Sequence, residues 1–199
     1  MMGGFWSGFW GPFFTFTGSV LVAVIANFIA EDFRRFRDGS ALASALAGEL
    51  RAYGAAIADL TKSITQLAEL AEAGTMRRVA DIELPNDPIY ESSVPKIGLL
   101  GVDLPERVAL AYGRIRAFRT LYKVIAGDKV KTDASGLARL YRQLLVKLVE
   151  AEQEGRHTVE LLHARADESF CVALRAALFK GRRRAQKSEA ISTAARETS

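Results

Sequence analysis

The chain has 199 residues, 49% hydrophobic and 25% charged, and a net charge of +4, an average that fits an ordinary globular domain. The placement of the charges excludes a simple soluble one: of 27 basic and 23 acidic side chains, none lies in the first 30 residues. Residues 31–199 suffice for one modest core but not for two domains of usual size, and the single cysteine, Cys171, excludes an intrachain disulfide.

Residues 1–37 are expected to form an aromatic-rich N-terminus, a transmembrane helix and a basic flank. Phe5–Ala30 is free of charge; starting at Pro12, a residue suited to the first turn of a helix, leaves 19 residues to Ala30, about 28 Å at about 1.5 Å each and close to one bilayer core. The span is therefore placed at about 12–30. Seven of the 18 aromatic residues fall between Phe5 and Phe16, including Trp6 and Trp10, an interfacial anchor pattern. Arg34, Arg35 and Arg37 follow the span while no basic residue precedes it. Positive charge stays inside, so the expected place is a bacterial inner membrane, single-pass, N-terminus outside and C-terminal domain cytoplasmic. Val24-Ile25-Ala26 resembles a signal cleavage site, but the segment lacks the basic start of a secretory signal. Gly4, Gly8 and Gly11 with Ser7 form small-xxx-small pairs, a weak signal for close helix approach.

Residues 38–180 are expected to form an elongated three-helix, coiled-coil-like bundle. Ala43, Leu46, Leu50, Tyr53, Ile57, Leu60, Ile64, Leu67 and Ala71 alternate spacings of three and four, the seam of one helix over about 38–74 that stops at Gly74. The seam suits packing within the bundle or against a partner or second copy. Gly39 is a candidate hinge to the membrane helix, with one continuous helix as the alternative. The connector 75–104 carries Pro85, Pro88 and Pro95 with Gly98 and Gly101; short helical turns are expected around Ile89–Ser93 and Ile97–Leu100. There Tyr90 and Leu99-Leu100 would cap the bundle, in preference to forming a binding loop.

A second helix over about 104–126 starts with Asp103 as N-cap and Pro105 in its first turn and stops at Gly127. It places Val108, Ala111, Ile115, Phe118, Tyr122 and Ile125 on one side and Arg107, Arg114, Arg116, Arg119 and Lys123 elsewhere. Arg116, Arg119 and Lys123 are candidate contacts for an anionic ligand, weighed against a solvated basic face that balances acidic helices. A third helix over about 135–180 has two apolar stripes, Leu137 to Ala151 and Val159 to Ala177, separated at Glu150–His157 by a polar patch where a kink or solvent-facing turn is expected. Residues 181–199 read as a basic, disordered tail. Lys180, Arg182, Arg183, Arg184 and Lys187 are candidate contacts for anionic lipid, as are Arg34, Arg35 and Arg37. No aromatic residue interleaves with the C-terminal run, which argues against nucleic acid.

Catalytic templates fit poorly. Glu154 with His157 and Glu160 with His163 have the spacing of di-metal bundle sites, but both pairs sit on one helix about 120° apart and cannot face one centre. Cys171 lies between Phe170 and Val172 and reads as a packing residue. No phosphate loop, nucleophile elbow or Cys-x-x-Cys pair is present, so no catalytic residue, metal or cofactor is expected.

The stretch Ala-Leu-Ala-Gly-Glu-Leu-Arg-Ala-Tyr at 45–53, Tyr90-Glu91, Ile97-Gly98-Leu99-Leu100 and Tyr112, following a membrane helix, resembles many uncharacterised bacterial single-pass membrane proteins. The likeness covers about residues 12–125 and implies a membrane-anchored helical domain with no assigned activity. The leading expectation is a membrane-anchored helical scaffold or protein-interaction module without catalysis. A regulatory subunit that binds an anionic ligand or lipid through the basic helix is the alternative, and a small pore-forming or envelope-stress protein the third.

Overall fold

The computed structural model describes residues 7–81, 85–127 and 132–172, and of residues 7–23 and 25 the backbone alone. These residues form α1 (Ser7–Glu72), α2 (Pro88–Ser93), α3 (Leu104–Ala126) and α4 (Ala134–Ala166), with a 3₁₀ helix at Val94–Leu100 and no strand. The chain is all-α and its larger unit is a helical bundle. Of the described residues, those within 39–168 form that unit, and those within 7–38 with 169–172 form the other.

In the bundle, the 43–71 seam closes on α3 and α4 of the same chain. Ala43, Leu46, Ala47 and Leu50 pack with Leu100, Val108, Ala111, Tyr112 and Leu162. Farther along, Ile64, Ala68 and Ala71 pack with Phe118, Tyr122, Ile125, Leu137, Tyr141, Leu144 and Leu148. The pairings make α1 and α3 run the same way and α4 run against both. Two parallel helices need a long return between them, and the 75–104 connector supplies it by running back along the bundle. Gly74, at φ 86°, ends the helical run before this return, with its own N–H bonded to Ala71 and that of Thr75 to Leu70.

The expected alternatives at Gly39 are a hinge and one continuous helix, and α1 is helical through this residue. It is buried, and a Cβ there would run into the backbone carbonyl of Leu99. The glycine serves a close approach of the 3₁₀ helix to α1.

Of the kink or solvent-facing turn expected at 150–157, the turn is not formed, since α4 is helical from Ala134 to Ala166. Its buried positions run Leu144, Leu148, Ala151, Thr158 and Leu162, and Gly155 completes the alternating three–four spacing. The stripe is continuous but has a small and a polar member, which made it read as two. Asp133 caps α4 by accepting from the N–H of Gly136 at 2.8 Å. Asp103 holds the N-cap position of α3 without a side-chain cap.

The third helix ends earlier than the expected 180. Asp167 is the C-cap of α4, and residues 167–169 are non-helical; the short polar side chains of Asp167 and Ser169 compete with helical backbone bonding. Lys180, Arg182, Arg183, Arg184, Lys187 and the 181–199 tail lie outside the described residues.

In the smaller unit, Phe170 meets Phe33 and Phe36 edge-on at 5.2 and 5.4 Å between ring centroids. Cys171 is exposed, not packed as expected. Among the described residues no helix is long and apolar enough to cross a membrane. Within the span expected at 12–30, the side chains of residues 12–23 and 25 lie outside the described ones.

Candidate functional site

Tyrosines hold the returning connector to the bundle. At the far end, the Tyr141 hydroxyl donates to the Arg77 carbonyl at 2.8 Å and accepts from the Val79 N–H at 3.0 Å. The Tyr122 hydroxyl donates to the Ala80 carbonyl at 2.9 Å, and the Arg78 guanidinium donates to the Gly127 carbonyl at 3.0 Å. An irregular segment has no ladder for its backbone groups, so these side chains substitute for one.

The near end is more polar and better buried. Glu49 on α1, 8% exposed, accepts from the N–H groups of Ile89 and Tyr90, both at 3.1 Å, and so caps the first turn of α2. Its Oε2 also accepts from the Tyr112 hydroxyl on α3 at 2.6 Å, while Tyr90 stacks on Tyr112 with centroids 4.0 Å apart. Burial, then the hydrogen bond to Glu49, raises the Tyr112 hydroxyl far above the ordinary tyrosine range, so it remains a donor.

Asp87, just before α2, is 2% exposed and receives three donors. Arg119 reaches Oδ1 at 2.6 Å, Arg116 reaches Oδ2 through Nε at 3.2 Å, and the Tyr53 hydroxyl lies 3.1 Å from Oδ1 and 2.9 Å from the Asn86 carbonyl. Arg116 further pairs with Glu91 at 3.4 Å and lies over the ring of Tyr90, and Arg119 lies over that of Tyr53. The anion that these two arginines meet is thus the chain's own. Lys123 is exposed and forms no ion pair among the described residues. Elsewhere on α3, Arg107 pairs with Glu154 at 3.6 Å and Arg114 with Glu150 at 2.7 Å, so the basic face of α3 meets the acidic patch of α4. Hydrogen bonding from Lys147, with the charge of Arg114 nearby, lowers the Glu150 carboxyl.

On the flank, Arg34 and Arg35 pair with Glu31 at 4.0 and 3.1 Å, and Arg37 is exposed. His157 approaches Glu160 at 4.0 Å; among the described residues no three His, Cys, Asp or Glu side chains gather as a metal would need.

Beside the Asp87 cluster, between the two core clusters, lies a cavity of about 600 Å³, within the range of small-molecule pockets, ~300–1,000 Å³. Small residues open it: Gly54, Ala55 and Ala56 on α1 and Ala151 and Gly155 on α4 line it, and a Cβ on Gly54 or Gly155 would meet nothing within 4 Å. Larger apolar side chains, Ile57, Leu60, Ile115, Phe118 and Val159, make its walls. Pro85 of the connector, Tyr53 and Arg119 close one side, and Arg51, Arg156 and Glu152 also border it.

Sequence reasoning missed this assembly because Asp87 and Glu49 are separated by 38 positions and neither sits in a local motif. Glu49, Tyr53, Tyr90 and Tyr112 converge on this end of the connector. No protein-family model, curated protein or solved structure matches the chain.

Proposed function

We propose that this chain is a membrane-anchored, non-catalytic helical module. Residues 12–30 hold it in the bacterial inner membrane as a single span with the N-terminus outside, and residues 39–168 serve in the cytoplasm as a scaffold or protein-interaction unit. One observation carries the reading: on the described part of the charge-free stretch and just beyond it, Val24, Phe28, Ile29 and Phe33 are exposed, Phe28 to 69%. Such a run of apolar side chains open to the surroundings is characteristic of a surface met by lipid or protein. The absence of charge through residue 30, the arginines after it and the continuous helix Ser7–Glu72 support the same reading. Partner binding is assigned to faces other than the 43–71 seam, because that seam is engaged by α3 and α4.

Alkaline carbonate extraction of membranes from cells expressing the full chain tests the anchor. The protein is expected to remain with the lipid pellet; quantitative release into the supernatant would refute it.

A further inference from the structure

The geometry points to a ligand site in the bundle: the cavity between α1, α3 and α4 takes one hydrocarbon chain with an acidic head group, a long-chain fatty acid. This goes beyond the scaffold role and does not depend on where the chain resides.

The shape of the space selects the class of occupant. At about 600 Å³ the space lies within the ~300–1,000 Å³ of small-molecule sites, and its apolar lining suits a single flexible hydrocarbon chain. The interior is apolar, with Ile57, Leu60, Ile115, Phe118 and Val159 along it. The gap comes from residues that end at or before Cβ, namely Gly54, Ala55, Ala56, Ala151 and Gly155. Burying a methylene there is favourable wherever the alternative is water.

Charge selects the head group. Three arginines border the cavity, Arg51, Arg119 and Arg156, against one carboxylate, Glu152. Arg119 is held by Asp87 and Arg156 by Glu152. Arg51 is exposed and forms no ion pair among the described residues. It supplies a cation at the mouth that a ligand carboxylate can meet without displacing an internal partner. An amine head group would face the arginines as like charge.

The test uses the full chain in zwitterionic lipid vesicles with a diazirine-bearing palmitic acid, irradiated and digested, the crosslinked peptides being located by mass spectrometry. Crosslinks are expected within 50–60 and 148–159; crosslinks confined to residues 1–38, or none, overturn the site. Gly155→Leu should fill the space and lower crosslinking in those two segments at least fivefold. Its thermal midpoint should not fall, since leucine favours a helix more than glycine does. Should Gly155→Leu unfold, Gly54→Leu provides the same readout, and unchanged crosslinking in a folded variant overturns the site. The corresponding diazirine alcohol should crosslink several-fold less than the acid, and Arg51→Gln should erase that preference; equal crosslinking of acid and alcohol in the parent chain overturns the acidic head group.

Discussion

Replacing Asp87 with alanine would leave Arg119, whose side chain is 15% exposed, without its carboxylate. Breaking such a buried pair from one side is expected to cost about 3 kcal/mol, and urea unfolding should show it. Asp87→Ala combined with Arg119→Met should cost less than the sum of the single changes, because the double variant strands no buried charge; Arg116 is half exposed and keeps Glu91. Tyr112→Phe removes a hydroxyl that donates to a buried carboxylate, and a loss of about 2 kcal/mol is expected. The two glycines Gly39 and Gly155 make a paired prediction. Gly39→Ala should destabilise by about 2 kcal/mol, since its Cβ meets the Leu99 backbone, which must shift. Gly155→Ala should stabilise by about 0.5–1 kcal/mol, since its Cβ meets nothing and alanine restricts the unfolded chain. Equal effects of the two would contradict the packing described.

The tyrosines add a dependence on pH. Burial raises the hydroxyls of Tyr53, Tyr112, Tyr122 and Tyr141 above the ordinary tyrosine value. In the unfolded chain they ionise near pH ~10, so the stability they contribute is complete below that pH and is lost as pH rises toward their folded values. Tyrosinate absorbance from these residues should therefore grow together with the loss of helical circular dichroism. Full ionisation of all the tyrosines near pH 10 with helicity intact would contradict their burial.

At the scale of elements, periodicity made the helical class readable and obscured what interrupts it. The buried side of α3, from Val108 to Ile125, is a regular stripe of large apolar residues and was legible as it stands. The stripe of α4 passes through Gly155 and Thr158, residues that no hydrophobic pattern counts, so one stripe looked like two. The cavity lies where that stripe thins. Gly39 shows a related ambiguity, because a glycine that permits a bend and one that permits contact have the same sequence. The parallel run of α1 and α3 follows from pairings between residues far apart, such as Glu49 with Tyr112 and Tyr53 with Asp87, which local spacing does not encode. The connector's tyrosine contacts should be the first of these to open. Hydrogen exchange is expected to be slower at the N–H groups of Ile89 and Tyr90 than at exposed turns, and Glu49→Gln should accelerate it there before α3 responds.

For the whole molecule, charge is partitioned: an uncharged N-terminal stretch precedes a bundle whose basic helix is largely neutralised by its own carboxylates. That internal pairing occupies Arg116, which stays half exposed, and the mostly buried Arg119 with the chain's own carboxylates, whereas Arg51 and Lys123 are exposed and form no ion pair among the described residues. The most direct test of an anchored chain with its bundle in the cytoplasm uses the single thiol of the sequence, exposed at Cys171. With the protein in membrane vesicles of defined orientation, a membrane-impermeant maleimide should label Cys171 in inside-out vesicles and leave it unlabelled in right-side-out ones. Labelling in right-side-out vesicles, or failure of the protein to sediment with either preparation, would contradict the account.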